Sequence, residues 1–192
     1  PYLYRTSDYG ASWTRIVGGI PDDEFTRVIR EDPTRRGLLY CGTERGINVS
    51  FDDGGSWQPL VSNLPVTPIW DLVVKNTDLV AATHGRAFWI LDDLSPLHQL
   101  QSGAELEAVH LFKPRDTVRF KLYGRAQSKS RTHLNYKTTG PVTVAFQRAD
   151  APTGEIVEQL VDAGRNPPDG VIVHYWLADS ARPESVKLSI LD

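Results

Sequence analysis

The chain has 192 residues, 40% of them hydrophobic and 23% charged, enough apolar material for one large core or two small ones. A net charge of −3, with no apolar run near the roughly 20 residues of a bilayer-spanning helix, excludes a predicted membrane span. One cysteine, Cys41, excludes an internal disulfide, and no His/Cys set has metal-ligand spacing, so neither metal nor cofactor is expected.

In chain order, residues 3–6 read as a strand, Thr6-Ser7-Asp8-Tyr9-Gly10-Ala11-Ser12-Trp13 as a hairpin loop, and 12–16 as the returning strand. The residue types explain the turn: the Asp carboxylate accepts backbone N–H groups, Gly supplies positive φ, and the hydroxyls tie the ends. Trp13 then buries a large apolar face at the start of the next strand. Residues 17–24 cross to a second unit with strands at 25–30, 38–43, 47–51 and 56–60. Its loop, Ser50-Phe51-Asp52-Asp53-Gly54-Gly55-Ser56-Trp57, repeats the first, with Asp52 44 positions after Asp8. Asp8, Gly10 and Trp13, like Asp52, Gly54 and Trp57, are therefore read as structural.

A third unit reads as strands at 69–74, 79–83, 87–91 and 97–100, separated from the second by Asn63-Leu64-Pro65-Val66-Thr67-Pro68. At an offset of 40 its Asp92-Asp93 falls on Asp52-Asp53, while Ile90, Leu94, Pro96 and Leu97 replace Ser50, Gly54, Ser56 and Trp57. Asp92 is read as the structural aspartate of this decayed copy. Repeats of roughly forty residues with four short strands each point to propeller blades. The fold expected is all-β, with about two and a half four-stranded blades over residues 1–112. The chain opens in mid-pattern at Pro1 and has no Met, so a fragment is expected, with the remaining blades of the same chain as its first partner.

In an up-and-down four-stranded blade the aspartate loops share one end with the first turns, and the loops between second and third strands share the other. Glu44-Arg45-Gly46 and His84-Gly85-Arg86 occupy that second end, and Trp70 and Asp71 sit on an innermost strand. Trp70 with Arg45, His84 and Arg86 suits a sugar or peptide ligand, through stacking and paired hydrogen bonds. Glu44 and Asp71 are candidates for the carboxylate pair that glycoside hydrolysis needs. Asn48-Val49-Ser50 fits a glycosylation sequon, but a predicted strand makes Asn48 an ordinary strand residue.

The loops at 6–13 and 50–57 resemble the Asp-box (BNR) repeats of sialidases, xyloglucanase-type endoglucanases and sortilin-type propellers. Residues 79–94, Leu-Val-Ala-Ala-Thr-His-Gly-Arg-Ala-Phe-Trp-Ile-Leu-Asp-Asp-Leu, are similar to bacterial sortilin-like or glycosyl-hydrolase-like BNR proteins. The resemblance implies an extracytoplasmic location and a binding or scaffold role toward a protein or glycan. The alternative it carries is a carbohydrate hydrolase whose acid and base come largely from other blades.

Charge divides the chain: residues 1–112 hold 9 Lys/Arg against 15 Asp/Glu, 113–137 hold 8 against 1, and 138–192 hold 4 against 8. The basic stretch contains Tyr123 and Tyr136 at no regular spacing and reads as a solvated connector over 113–140, not as a nucleic-acid site. Strands are expected at 142–146, 156–161, 171–177 and 185–191, with a turn at Asn166-Pro167-Pro168-Asp169-Gly170. They resemble the start of the immunoglobulin-like, FlgD-type domain that follows such propellers, placing a truncated domain at 141–192.

Overall fold

A computed structural model describes residues 1–100, 107–118, 134–139, 142–150, 156–161, 170–178 and 186–190. Its first two strands show how the aspartate loop works. Strands β1 (Tyr4–Arg5) and β2 (Thr14–Arg15) pair antiparallel across the 6–13 loop. Thr6 Oγ1 donates to Asp8 Oδ1 at 2.8 Å and accepts the Gly10 N–H at 2.8 Å. Asp8 in turn accepts the Ser12 N–H at 2.8 Å and the Ser12 hydroxyl at 2.6 Å. In the 50–57 loop Asp52 accepts the same two groups of Ser56 at 2.8 and 2.6 Å, and Ser50 donates to it at 2.7 Å. Both loops need left-handed backbone at the same two places, Tyr9 and Gly10 (φ +57° and +92°) and Asp53 and Gly54 (φ +58° and +83°).

The second loop closes a four-stranded antiparallel sheet in the order β3 (Thr26–Glu31), β4 (Leu39–Thr43), β5 (Ile47–Ser50), β6 (Gln58–Pro59). Next comes a three-stranded antiparallel sheet of β7 (Ile69–Lys75), β8 (Asp78–Thr83) and β9 (Phe88–Leu91). The main core lies between these sheets and joins Val28, Leu38, Tyr40 and Val49 to Ile69, Leu72, Leu79, Ala81 and Leu94. A smaller cluster of Ile20, Leu39, Cys41 and Trp57 lies on the other face of the four-stranded sheet. Strand β4 contributes to both and is buried throughout, which its sequence Leu-Tyr-Cys-Gly-Thr permits. Each fully buried Leu or Ile contributes about 1.5–3 kcal/mol. Burial and the charge of Glu24 push the Cys41 thiol up to about 12, as suits an inert core residue.

The two loop tryptophans part company. Trp57 is 5% exposed and donates its indole N–H to the Ile16 carbonyl at 2.8 Å, under the crossing segment that precedes β3. Trp13 is 61% exposed and only leans back on its own loop, its indole N–H 3.2 Å from the Gly10 carbonyl. The expectation that Trp13 buries its face therefore fails: among the described residues no crossing segment covers it as residues 16–19 cover Trp57.

The third unit departs from the repeat after β9. A strand was expected at 97–100, and a short helix, α1 (Ser95–Gln99), stands there instead. Pro96 supplies the reason. It occupies the place of Ser12 and Ser56, and having no N–H it cannot bond to Asp92 as those residues bond to Asp8 and Asp52. A proline in the first turn favours a helix start, and the Asp93 carboxylate accepts the Ser95 N–H at 3.0 Å. Asp92 is thus no box aspartate. Burial and neighbouring Asp78 push its carboxyl up, with Arg115 opposing.

Helix α1 docks on the turn between β3 and β4 through Asp32, whose side chain is fully buried. That carboxylate accepts the Thr34 N–H at 2.9 Å, the Thr34 hydroxyl at 2.7 Å, the Arg35 N–H at 3.0 Å and the Tyr40 hydroxyl at 3.1 Å. His98 Nε2 of α1 completes the set at 2.8 Å from Asp32 Oδ2. Burial pushes the Asp32 carboxyl up, but the bonds from Thr34 and His98 outweigh it and hold it below the usual carboxylate range. Burial, then the charge of Asp32, pushes the Tyr40 phenol up, so Tyr40 stays a donor.

Two compact units form: Pro1–Arg115 with Val171–Asp192, and Asp116–Gly170. In the first, β10 (Val109–Leu111) pairs antiparallel with the last strand, β14 (Tyr175–Leu177). The expected strand at 171–177 is therefore reduced to its final three residues, and residues 186–190, expected as strand, have no regular structure. In the second unit, β11 (Asn135–Thr139), β12 (Val142–Asp150) and β13 (Ile156–Leu160) form an antiparallel sheet. Strand β11 falls inside the stretch read as a connector, and the strand expected at 142–146 runs on to Asp150. Tyr123 and residues 166–169 of the expected turn lie outside the described residues. The architecture is all-β, and the described sheets form neither a closed barrel nor a closed ring. No helix among the described residues is long and apolar enough to cross a membrane.

Candidate functional site

Backbone hydrogen bonds fix which loops share an end. Asp53 donates its N–H to the Gly37 carbonyl at 2.9 Å, so the aspartate loop lies beside the β3–β4 turn. At the opposite end Glu44 donates to the Phe25 carbonyl at 3.1 Å and His84 to the Pro68 carbonyl at 2.9 Å, binding each β-loop-β connection to the start of the first strand of its own sheet. The aspartates Asp8 and Asp52 are therefore loop ties, and the candidate ligand residues sit away from Asp52.

The same irregularity occurs in both sheets at this end. The register between β3 and β4 slips between Thr26 and Val28, and that between β7 and β8 slips between Ile69 and Asp71. Arg27 and Trp70 are the extra residues. A bulge leaves a residue outside the ladder and re-aims its side chain. Here the two bulges bring their side chains together: the Arg27 guanidinium lies 5.1 Å from the Trp70 ring centroid. Glu44 pairs with Arg27 on one side, and the His84 ring lies 5.3 Å from Trp70 on the adjoining loop, tilted by 42°. The result is a row, Glu44–Arg27–Trp70–His84, with Trp70 55% exposed. Sequence reading placed Glu44, Trp70 and His84 together and missed Arg27, because a register slip leaves no mark on residue type. The signal that finds it is positional: Arg27 and Trp70 are each the second residue of the first strand of a sheet.

The remaining candidates divide. Arg45 pairs with Asp23 at 2.6 Å, and Asp71 with Arg30 at 2.6 Å while also accepting the Leu72 N–H at 2.8 Å. These pairs are solvent-exposed, so each contributes about 0–1 kcal/mol and orients more than it stabilises. Both carboxylates proposed for acid–base chemistry, Glu44 and Asp71, are thus engaged by arginines. Arg86 has no side-chain partner among the described residues, but its carbonyl accepts the Trp89 indole N–H at 2.9 Å. Its loop is one residue longer than the Glu44 loop. It closes with the Thr83 hydroxyl donating to the Ala87 carbonyl at 2.6 Å, where Thr43 donates to Gly46 at 3.2 Å. The longer loop holds Ala87 at φ +59°, a left-handed conformation that costs a non-glycine residue about 1–2 kcal/mol.

No group of three His, Cys, Asp or Glu side chains disposed to hold a metal ion occurs among the described residues. Comparison with protein-family models, with curated proteins and with solved structures gave no match.

Proposed function

We propose that the chain is a non-catalytic binding or scaffold module, recognising a protein or glycan ligand through the row of Arg27, Trp70 and His84 and the Arg86 loop beside it. The observation that carries the reading is the half-exposed Trp70, in contact with a guanidinium and an imidazole, on a bulge that the neighbouring sheet repeats. Exposed tryptophans offer apolar area with little entropy to lose on binding, and cation–π neighbours hold the ring in place. Glu44 then serves as a positioning residue that steers Arg27 over Trp70.

The finer architecture belongs to the same proposal: blades of a sortilin-like Asp-box propeller, followed by the start of an immunoglobulin-like domain. The meander order of the four-stranded sheet and the two equivalent aspartate loops support the first part, and the antiparallel sheet β11–β12–β13 supports the second. An extracytoplasmic location rests on the family resemblance alone.

The test is binding of the full chain to a panel of polysaccharides and peptides, with circular dichroism as the check on folding. Trp70→Ala is expected to weaken binding at least tenfold with the fold intact. Unchanged binding on substituting Trp70, His84 and Arg86 leaves a spacer role and defeats the proposal. Hydrolysis of a panel member that is lost in Glu44→Gln or Asp71→Asn makes the chain a glycoside hydrolase instead.

A further inference from the structure

The charge inventory around the row narrows the ligand. Arg27, Arg30 and Arg45 are each neutralised, by Glu44, Asp71 and Asp23 respectively. Arg86, two residues beyond His84 on the loop that touches Trp70, is exposed and has no carboxylate partner among the described residues. Its backbone is nonetheless pinned. The Trp89 indole holds its carbonyl, Thr83 holds the carbonyl of Ala87, and Thr67 holds that of His84 at 3.3 Å. A side chain with no carboxylate partner among the described residues, on a clamped backbone, keeps its charge available and has little loop entropy left to lose on binding. Gly85 beside it meets nothing within 4 Å in the direction a Cβ would take, so the loop stands clear of the sheet.

A flat apolar ring, with a guanidinium that has no carboxylate partner among the described residues on the loop that touches it, matches a ligand with a flat C–H face and a carboxylate. We propose that the row takes an acidic polysaccharide: a uronic-acid ring lies on Trp70 and its carboxylate pairs with Arg86. The inference rests on the binding reading above and adds the ligand class to it. A guanidinium receives a carboxylate through two parallel hydrogen bonds, so Arg86 selects for the acid while Trp70 supplies sequence-tolerant contact. An acidic peptide lacks the ring face and loses the Trp70 contribution.

The probes are a galacturonic-acid hexamer, a neutral glucose hexamer and a hexaglutamate peptide, each titrated calorimetrically into the full chain at low and at 0.5 M salt. The acidic sugar is expected to bind at least tenfold more tightly than the neutral one and to weaken with salt. Trp70→Ala should weaken it at least tenfold, and Arg86→Gln should remove its advantage over the neutral sugar; Arg86→Lys should restore part of it. Arg36→Gln, on the β3–β4 turn at the other end, should change nothing. Equal binding of both sugars, unaffected by Arg86→Gln, overturns the acidic-sugar inference and leaves the binding reading standing. Preference for hexaglutamate overturns it in favour of a protein ligand. Failure of every probe, with the fold intact, overturns both.

Discussion

Removing the Asp32 carboxylate tests how the helix α1 is held to the sheet beside it. In Asp32→Ala the fully buried Tyr40 hydroxyl loses its acceptor, and the Thr34 and Arg35 N–H groups and His98 lose theirs. A buried donor left without a partner costs about 1–3 kcal/mol. The Thr34, Arg35 and His98 donors lie nearer the surface, where water replaces part of the loss, so the whole change is expected to cost about 3–5 kcal/mol, as for breaking a buried pair. Tyr40→Phe takes away one donor and leaves Asp32 its others, which predicts only about 1 kcal/mol. His98→Ala falls between, since the bond it removes is to a charged group, worth about 1.5–3 kcal/mol. Urea unfolding of the three variants and of the Asp32→Ala/His98→Ala double variant supplies the ladder and the coupling between the two side chains. A Tyr40→Phe cost equal to that of Asp32→Ala, or strict additivity of Asp32 and His98, would refute the role of Asp32 as the shared acceptor.

Three further outcomes follow from the loops and glycines. Gly19→Ala should be severely destabilising, because φ is +98° and a Cβ would lie 2.1 Å from the Trp57 carbonyl oxygen, whereas Gly46→Ala, at φ +159° but with nothing within 4 Å, should cost less; thermal melts compare them. Gly42→Ala would put a methyl 2.7 Å from both Ile69 and Val28, an overpacking expected to cost about 1–3 kcal/mol in urea unfolding. Hydrogen bonds from the Ser12 hydroxyl, the Ser12 N–H and Thr6 hold the Asp8 carboxyl down to about 2, and those from Ser56 and Ser50 hold Asp52 low against its burial. A depressed carboxyl stabilises the fold above its unfolded value near 4 and loses that contribution as pH falls through the folded value, so melting temperature should drop between about pH 4 and 2. In Asp8→Asn/Asp52→Asn that slope should be shallower, and an unchanged slope would count against the loop carboxylates as its source.

What was legible in the sequence was local. The aspartate loops were readable because the ties among their Thr or Ser, Asp and Ser residues span two to four residues, so the residue types carry the geometry. Strands 38–43, 47–51, 69–74 and 79–83 fall within a residue or two of the observed β4, β5, β7 and β8, since alternation and turn residues mark them. What depended on distant partners was not readable. The Asp32–His98 contact spans 66 residues, and the pairing of β10 with β14 joins positions 109 and 177. Helix α1 was missed because alignment to the repeat favoured a strand, although Pro96 already denied Asp92 its bond. At the candidate site the loop residues were visible from strand order, but Arg27 and its contact with Trp70 required the register.

The paired bulges bear on how such a surface diversifies. A residue that owes no bond to the ladder can change identity without unpairing a strand, and the two sheets already differ there, one carrying arginine and the other tryptophan. On the binding reading, the side chains offered to a ligand and those that hold the ladder then occupy separate positions of the same strand. Substitutions confined to those two sites change the exposed row while every paired residue of the two ladders keeps its partner.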